Sequence, residues 1–159
     1  MASRLIPGLI AAASLASCAS PQPAPPAEPG MRWSLNEVTG EGVKLTFGVP
    51  NTDDVPVMLV CQRGSNRVRL SISGPDQVIV NPFIVIRSGS ATSRIAATQM
   101  EDTEGGLGAR FEAVTSARDP VLEKFGESGR LRIETIGNNG STPADDPRPV
   151  RHFLTLCRP

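Results

Sequence analysis

Apolar positions recur mostly at every second residue along this chain. Val43, Leu45, Phe47 and Val49 alternate with Lys44, Thr46 and Gly48, the period of a strand with one buried face. Residues 55–62, "VPVMLVCQ", are nearly all apolar. That predicts a strand buried on both faces, with Pro56 near its start. After the turn signal "RGSN", Val68, Leu70 and Ile72 alternate with Arg67, Arg69 and Ser71, so these two runs are expected to form a hairpin. "SGPD" leads into the apolar stretch 77–87, interrupted at Asn81-Pro82, where a bulge, an edge or a break into two strands is expected. "RSGSATS" reads as a loop before Ile95 and Ala97, and "EDTEGGLG" as a turn before an alternating strand over 109–115. Residues 31–37 open the series, and 130–136 add a further strand. One short helix is predicted over 121–125 before Gly126, with Asp119 as its cap and Pro120 at its first position. "GNNGSTPADDPRP" reads as a long polar loop, and 150–157 as a closing strand or short helix. Turn signals about every eight to twelve residues, with no βαβ rhythm, predict an all-β domain: a β-sandwich or small barrel with one short helix.

The first 30 residues follow a different pattern. Arg4 precedes an apolar run from residue 5 to 16, broken only by Pro7, Gly8 and Ser14. A membrane-spanning helix needs about 20 apolar residues, so this run reads as an export signal. Its end, Leu15-Ala16-Ser17-Cys18, resembles the lipobox of bacterial lipoproteins: a leucine, two small residues, then the cysteine that becomes the lipidated first residue. By that resemblance Cys18 carries a diacylglyceryl thioether and an amide-linked acyl chain, and each buried CH₂ contributes about 0.8 kcal/mol to holding the membrane. Ala19, rather than an aspartate, follows Cys18, which under the enteric sorting rule implies the outer membrane, facing the periplasm. The rival is an ordinary signal peptide cut near Ser17 or Ser20, with Cys18 incidental. "ASPQPAPPAEPG" comes next, with five prolines and one charge. Proline lacks the N–H that helix and sheet need, so this stretch reads as a semi-rigid tether. The organisation is therefore a signal peptide at 1–17, a lipidated cysteine and Pro-rich linker at 18–30, and a β-rich periplasmic domain at 31–159.

Composition narrows the functions. The chain has 159 residues, 15 of them glycine and 15 proline, which argues against a helical bundle. Sixteen basic residues balance sixteen acidic ones, so nucleic acid is not an expected partner. With no tyrosine and one tryptophan, Trp33, aromatic stacking platforms for sugars or single strands are not expected either. Once lipid takes Cys18, Cys61 and Cys157 are left as an even pair. In an exported domain these are expected to form a disulfide. The alternative is two separate thiols, buried and inert or one of them reactive.

No catalytic residue, metal ligand set or cofactor motif emerges. Asn51, Thr52, Asp53 and Asp54 form the densest polar group, a possible binding loop between two apolar strands. Neighbouring side chains on an extended chain diverge, so Asp53 and Asp54 suit a self-capped turn better than a pair of catalytic carboxylates or a cation site. Glu101, Asp102 and Glu104 lack the EF-hand pattern, and Asp145-Asp146 reads as solvated loop. His152 is the only histidine. A Cys61/His152/Asp54 triad can be written down, but it needs a free thiolate, and Cys61 lies in an apolar strand.

The block "EGVKLTFGVPNTDDVPVMLVCQRGSNRV", with "LEKFGESGRLRI" and "FLTLC", resembles small exported proteins of alphaproteobacterial type that carry no assigned function. Phe47 stands where that pattern has a tyrosine. The resemblance covers most of 33–157 and implies a compact β fold with a cysteine pair, and no catalytic residue. The expected role is a lipid-anchored envelope protein, bound to the membrane through Cys18, acting as a structural or protein-interaction module on an envelope partner. The alternatives are an envelope hydrolase or hydrolase inhibitor, and a small-ligand or metal carrier.

Overall fold

The structure, a computed structural model, describes residues 30–100, 109–135, 138–142 and 146–159. Nine strands and two helices follow in the order β1 (Arg32–Val38), β2 (Gly42–Gly48), β3 (Val57–Cys61), β4 (Arg67–Gly74), β5 (Phe83–Ser88), β6 (Ala91–Met100), β7 (Ala109–Ser116), α1 (Pro120–Ser128), β8 (Arg132–Thr135), β9 (Asn138–Ser141) and α2 (Arg148–Cys157). All strands join one antiparallel sheet in the order β1-β2-β3-β4-β7-β6-β5-β8-β9. The all-β class expected from the sequence holds. In place of two stacked sheets or a closed barrel, a single sheet curls into a half-barrel.

Alternation decides which side of each strand faces in. Val43, Leu45 and Phe47 of β2 are buried, as are Val68, Leu70 and Ile72 of β4 and Phe111 and Ala113 of β7. β3 is buried almost throughout, Val60 included, as its unbroken apolar run predicts. The two helices cover the inner face: α1 packs on β5 and β6, α2 on β1 and β2, and the helices touch each other. Gly126 makes that last contact possible, because a Cβ there would stand 3.1 Å from Leu154 Cδ1. Gly74 is required for a similar reason. A Cβ at the end of β4 would lie 2.4 Å from the buried ring of Phe111.

The predicted start of α1 is correct in its chemistry. Asp119 Oδ1 accepts from Val121 N at 2.8 Å, and Pro120 occupies the first turn. The helix runs past Gly126 to Ser128 and ends on Gly129, whose φ of 64° is the left-handed cap. Asp119 does more than cap. Ser93 Oγ of β6 donates to its Oδ1 at 2.8 Å and Thr115 Oγ1 of β7 to its Oδ2 at 2.9 Å, so one carboxylate ties the helix to two strands. Asp119→Ala is therefore expected to lower unfolding stability by about 2–3 kcal/mol, more than a cap alone. Urea melts check this, with Asp119→Asn retaining part of the loss; an unchanged midpoint would refute the hub.

Three local expectations change. The 77–87 stretch is a strand only over β5, and residues 77–82 are a connecting loop. The expected loop "RSGSATS" is a tight turn at Gly89-Ser90, with β6 already under way at Ala91. Inside the expected polar loop lies β9, paired with β8 from Thr135↔Asn138 to Arg132↔Ser141. Thr142 continues that ladder: its N–H donates to Leu131 O at 2.8 Å, and its hydroxyl accepts from Leu131 N at 2.9 Å. Of the two forms expected for 150–157, the helix is the one found, giving two short helices where one was expected. Val150, Phe153, Leu154 and Cys157 form its buried stripe.

Candidate functional site

The registers sort the connections onto two rims of the half-barrel. One rim gathers the entry to β1 at Gly30, the β2–β3 connection 49–56, and the β4–β5 connection 75–82, which passes over the ends of β7 and β6. The opposite rim holds the turns at 39–41, 62–66 and 89–90 and the disulfide.

At that opposite rim Cys61 and Cys157 are bonded, with Cα atoms 5.7 Å apart. Leu156 O accepts from Gly64 N at 3.0 Å and Cys157 O from Asn66 N at 2.9 Å, so the last turn of α2 is fastened to the β3–β4 turn by backbone as well as sulfur. This removes the nucleophile from a Cys61/His152/Asp54 triad. Asp54 also sits at the far rim, seven residues from Cys61 along an extended segment, about 20 Å away. His152 is exposed on α2.

On the first rim Asn51, Thr52, Asp53 and Asp54 are all exposed. Their polar atoms serve the turn itself. Thr52 Oγ1 donates to Val49 O at 2.8 Å and accepts from Asp54 N at 3.2 Å, while Val49 N reaches Asp54 O at 3.2 Å. Asn51 takes φ 62°, which asparagine tolerates better than most residues. Gly48 is needed below the turn, since a Cβ there would meet Asp54 O at 2.1 Å. Among the described residues no group of three His, Cys, Asp or Glu is placed to hold a metal. Cys18, Glu101, Asp102, Glu104 and Asp145 lie outside the described residues. Asp146 is taken up by Arg148, whose side-chain hydrogen bond, and then its backbone N–H, hold that carboxyl below its ordinary range.

Beside the polar turn is a cleft of about 170 Å³ walled by Phe47, Val57, Ile72 and Ile133, with Ser141 and Thr142 at its margin. Small-molecule pockets begin near 300 Å³, so this one is small, on the scale of a side chain or a short alkyl group.

The remaining feature of the rim was not singled out by sequence reasoning. Over residues 77–81 only Ile79 turns inward, packed against the core. Val78 is 85% exposed and Val80 is 82% exposed, and Met100 at the neighbouring end of β6 is 48% exposed. The loop is held firmly in this arrangement. Gln99 Oε1 accepts from Ile79 N at 2.8 Å, Gln99 Nε2 donates to Gln77 O at 2.9 Å, and Ala97 N donates to Pro82 O at 3.0 Å. Its sequence signal is a β-branched run, "VIV", bounded by Pro75-Asp76 and Asn81-Pro82, two turn signals only five residues apart. As a set, these groups offer surfaces for contact. Among the described residues no acid–base pair lines the cleft. No family model, no curated protein and no solved structure matches the chain.

Proposed function

We propose that this chain is a lipid-anchored cell-envelope protein whose half-barrel domain acts as a structural or protein-interaction module, held at the membrane through Cys18. The observation that carries the reading is the Cys61–Cys157 bond. Disulfides persist in oxidising compartments, which agrees with an export signal. The bond accounts for two of the chain's three cysteines, and the third, Cys18, stands at the end of the apolar run where a lipobox has its acceptor.

Intact and peptide mass spectrometry on protein taken from native membranes tests this. The expected result is a chain beginning at Cys18 with added diacylglyceryl and acyl mass, and one Cys61–Cys157 linked peptide that separates on reduction. A chain starting elsewhere without lipid would overturn the anchor, and an alkylatable Cys61 would reopen the thiol-enzyme reading.

A further inference from the structure

We infer that the rim carrying Val78, Val80 and Met100 docks on the surface of a zwitterionic lipid bilayer, so that the domain sits rim-down on its membrane; this rests on the anchor reading above. Three observations converge. First, the loop displays its valines by construction. Gln99 spends both ends of its amide on the loop backbone and Ile79 roots it in the core, so Val78 and Val80 stand outward as a rigid pair. Isolated apolar side chains on a surface need no explanation, but two valines on either side of Ile79, both above 80% exposure, with an exposed methionine at the same rim, favour an apolar medium.

Second, the chain enters the sheet at this same rim. Gly30 leads into the start of β1, and the start of β1 lies three strand spacings, about 14 Å, from the end of β4, where the valine loop begins. Residues 19–30 give a reach of about 37 Å when extended, enough to bring the rim to the bilayer that Cys18 enters. A tether of this length makes docking intramolecular at an effective concentration of about millimolar. Weak insertion by three apolar side chains then suffices to populate the docked state.

Third, charge selects the headgroup. Among the described residues, the exposed Asp53, Asp54 and Asp76 share the rim with the exposed Arg32 and with Arg110, half-buried at the start of β7. These charges show no cationic excess to hold anionic headgroups, so the surface that fits is zwitterionic.

The test uses the full chain, lipidated in its host, with Val80→Cys carrying an environment-sensitive fluorophore and Ser90→Cys, on the opposite rim, as the control. It is reconstituted in phosphatidylethanolamine–phosphatidylcholine vesicles. The expected result is a blue-shifted, severalfold brighter emission at position 80 and none at 90, weakened when phosphatidylglycerol is added. Read from a label at Met100→Cys, Val78→Asp is expected to lower the docking equilibrium constant about tenfold, the worth of one buried valine. An anchored chain whose position-80 label stays aqueous overturns the docking and leaves the anchor standing. Incorporation of a second label reports a free Cys18 and the failure of the anchor itself. In that case the docking stands only if position 80 still responds at raised vesicle concentration, and falls otherwise. A label at 80 that becomes buried with rising protein concentration and no vesicles would assign the patch to a second copy of the chain, overturning the membrane proposal.

Discussion

Reducing the Cys61–Cys157 bond, or replacing both cysteines by alanine, is expected to lower the stability of the domain by about 3–5 kcal/mol. The two sulfurs are 96 residues apart in sequence, and a loop near 100 residues gives about 4.7 kcal/mol in the chain-entropy account. Domains of this size are stable by only about 5–15 kcal/mol, so the loss is a large share, on the order of 10–20 °C in Tm. The change has a location as well as a size. α2 meets the sheet through Val150, Phe153, Leu154 and Cys157. Its last turn is fixed by the bond and by the two backbone hydrogen bonds from Gly64 and Asn66. Without the sulfur link the C-terminal turn should fray first, because a chain end held only by one helical stripe opens locally at low cost. Thermal melts with and without reductant measure the total, and amide exchange of residues 153–157 measures the local opening. Coincident melts would mean that packing alone holds α2, and the bond would then be dispensable for the fold.

How much of this was legible depended on whether a segment is stabilised by its own pattern or by its neighbours. β2 and β4 announce themselves through Val43/Leu45/Phe47 and Val68/Leu70/Ile72, because burial on one face of a strand writes a period of two into the sequence. Asp119-Pro120 marks the start of α1 by local chemistry that needs nothing distant. "FLTLC" satisfied both templates. Phe153 and Cys157 are two apart from Thr155 on either side, while Val150, Phe153, Leu154 and Cys157 fit one helical face. Burial of that second set on β1 and β2 decides for helix. β9 has no apolar signal in "NNGS"; it exists because β8 offers a ladder and Thr142 extends it. "QVIV" misled in the opposite direction. Its β-branched run has strand propensity, but β7 and β6 lie between β4 and β5, so the chain must cross their ends and leave Val78 and Val80 in solvent. At the rim, Asn51–Asp54 were found from composition, and their self-capping geometry agrees with the turn chemistry expected of them. The valine pair was missed because exposure is a property of the path between strands and has no signature in the residues themselves.

Phe125→Ala is expected to cost about 3–5 kcal/mol, the range for removing a fully buried phenyl ring, and to report itself through the chain's single tryptophan. Phe125 is completely buried on α1, and its ring lies 4.9 Å from that of Trp33 in an edge-on contact. Trp33 in turn lies 5.2 Å from Phe47. Trp33 belongs to β1, which has only β2 as a neighbour, so this three-ring cluster supplies side-chain packing where an edge strand has no second ladder. Trp33 is 4% exposed, and its indole Nε1 has no hydrogen-bond partner among the described residues. An indole so shielded emits toward the blue. Removing Phe125 opens space beside it, so the folded variant should emit further to the red, and β1 should loosen before the sheet interior does. Urea melts followed by Trp33 emission, and in parallel by far-ultraviolet circular dichroism, separate the two effects. If emission shifts before the sheet melts, β1 is a separable unit held by the ring cluster. If both probes move together at an unchanged midpoint, the cluster contributes little and the β1–β2 ladder alone secures the edge.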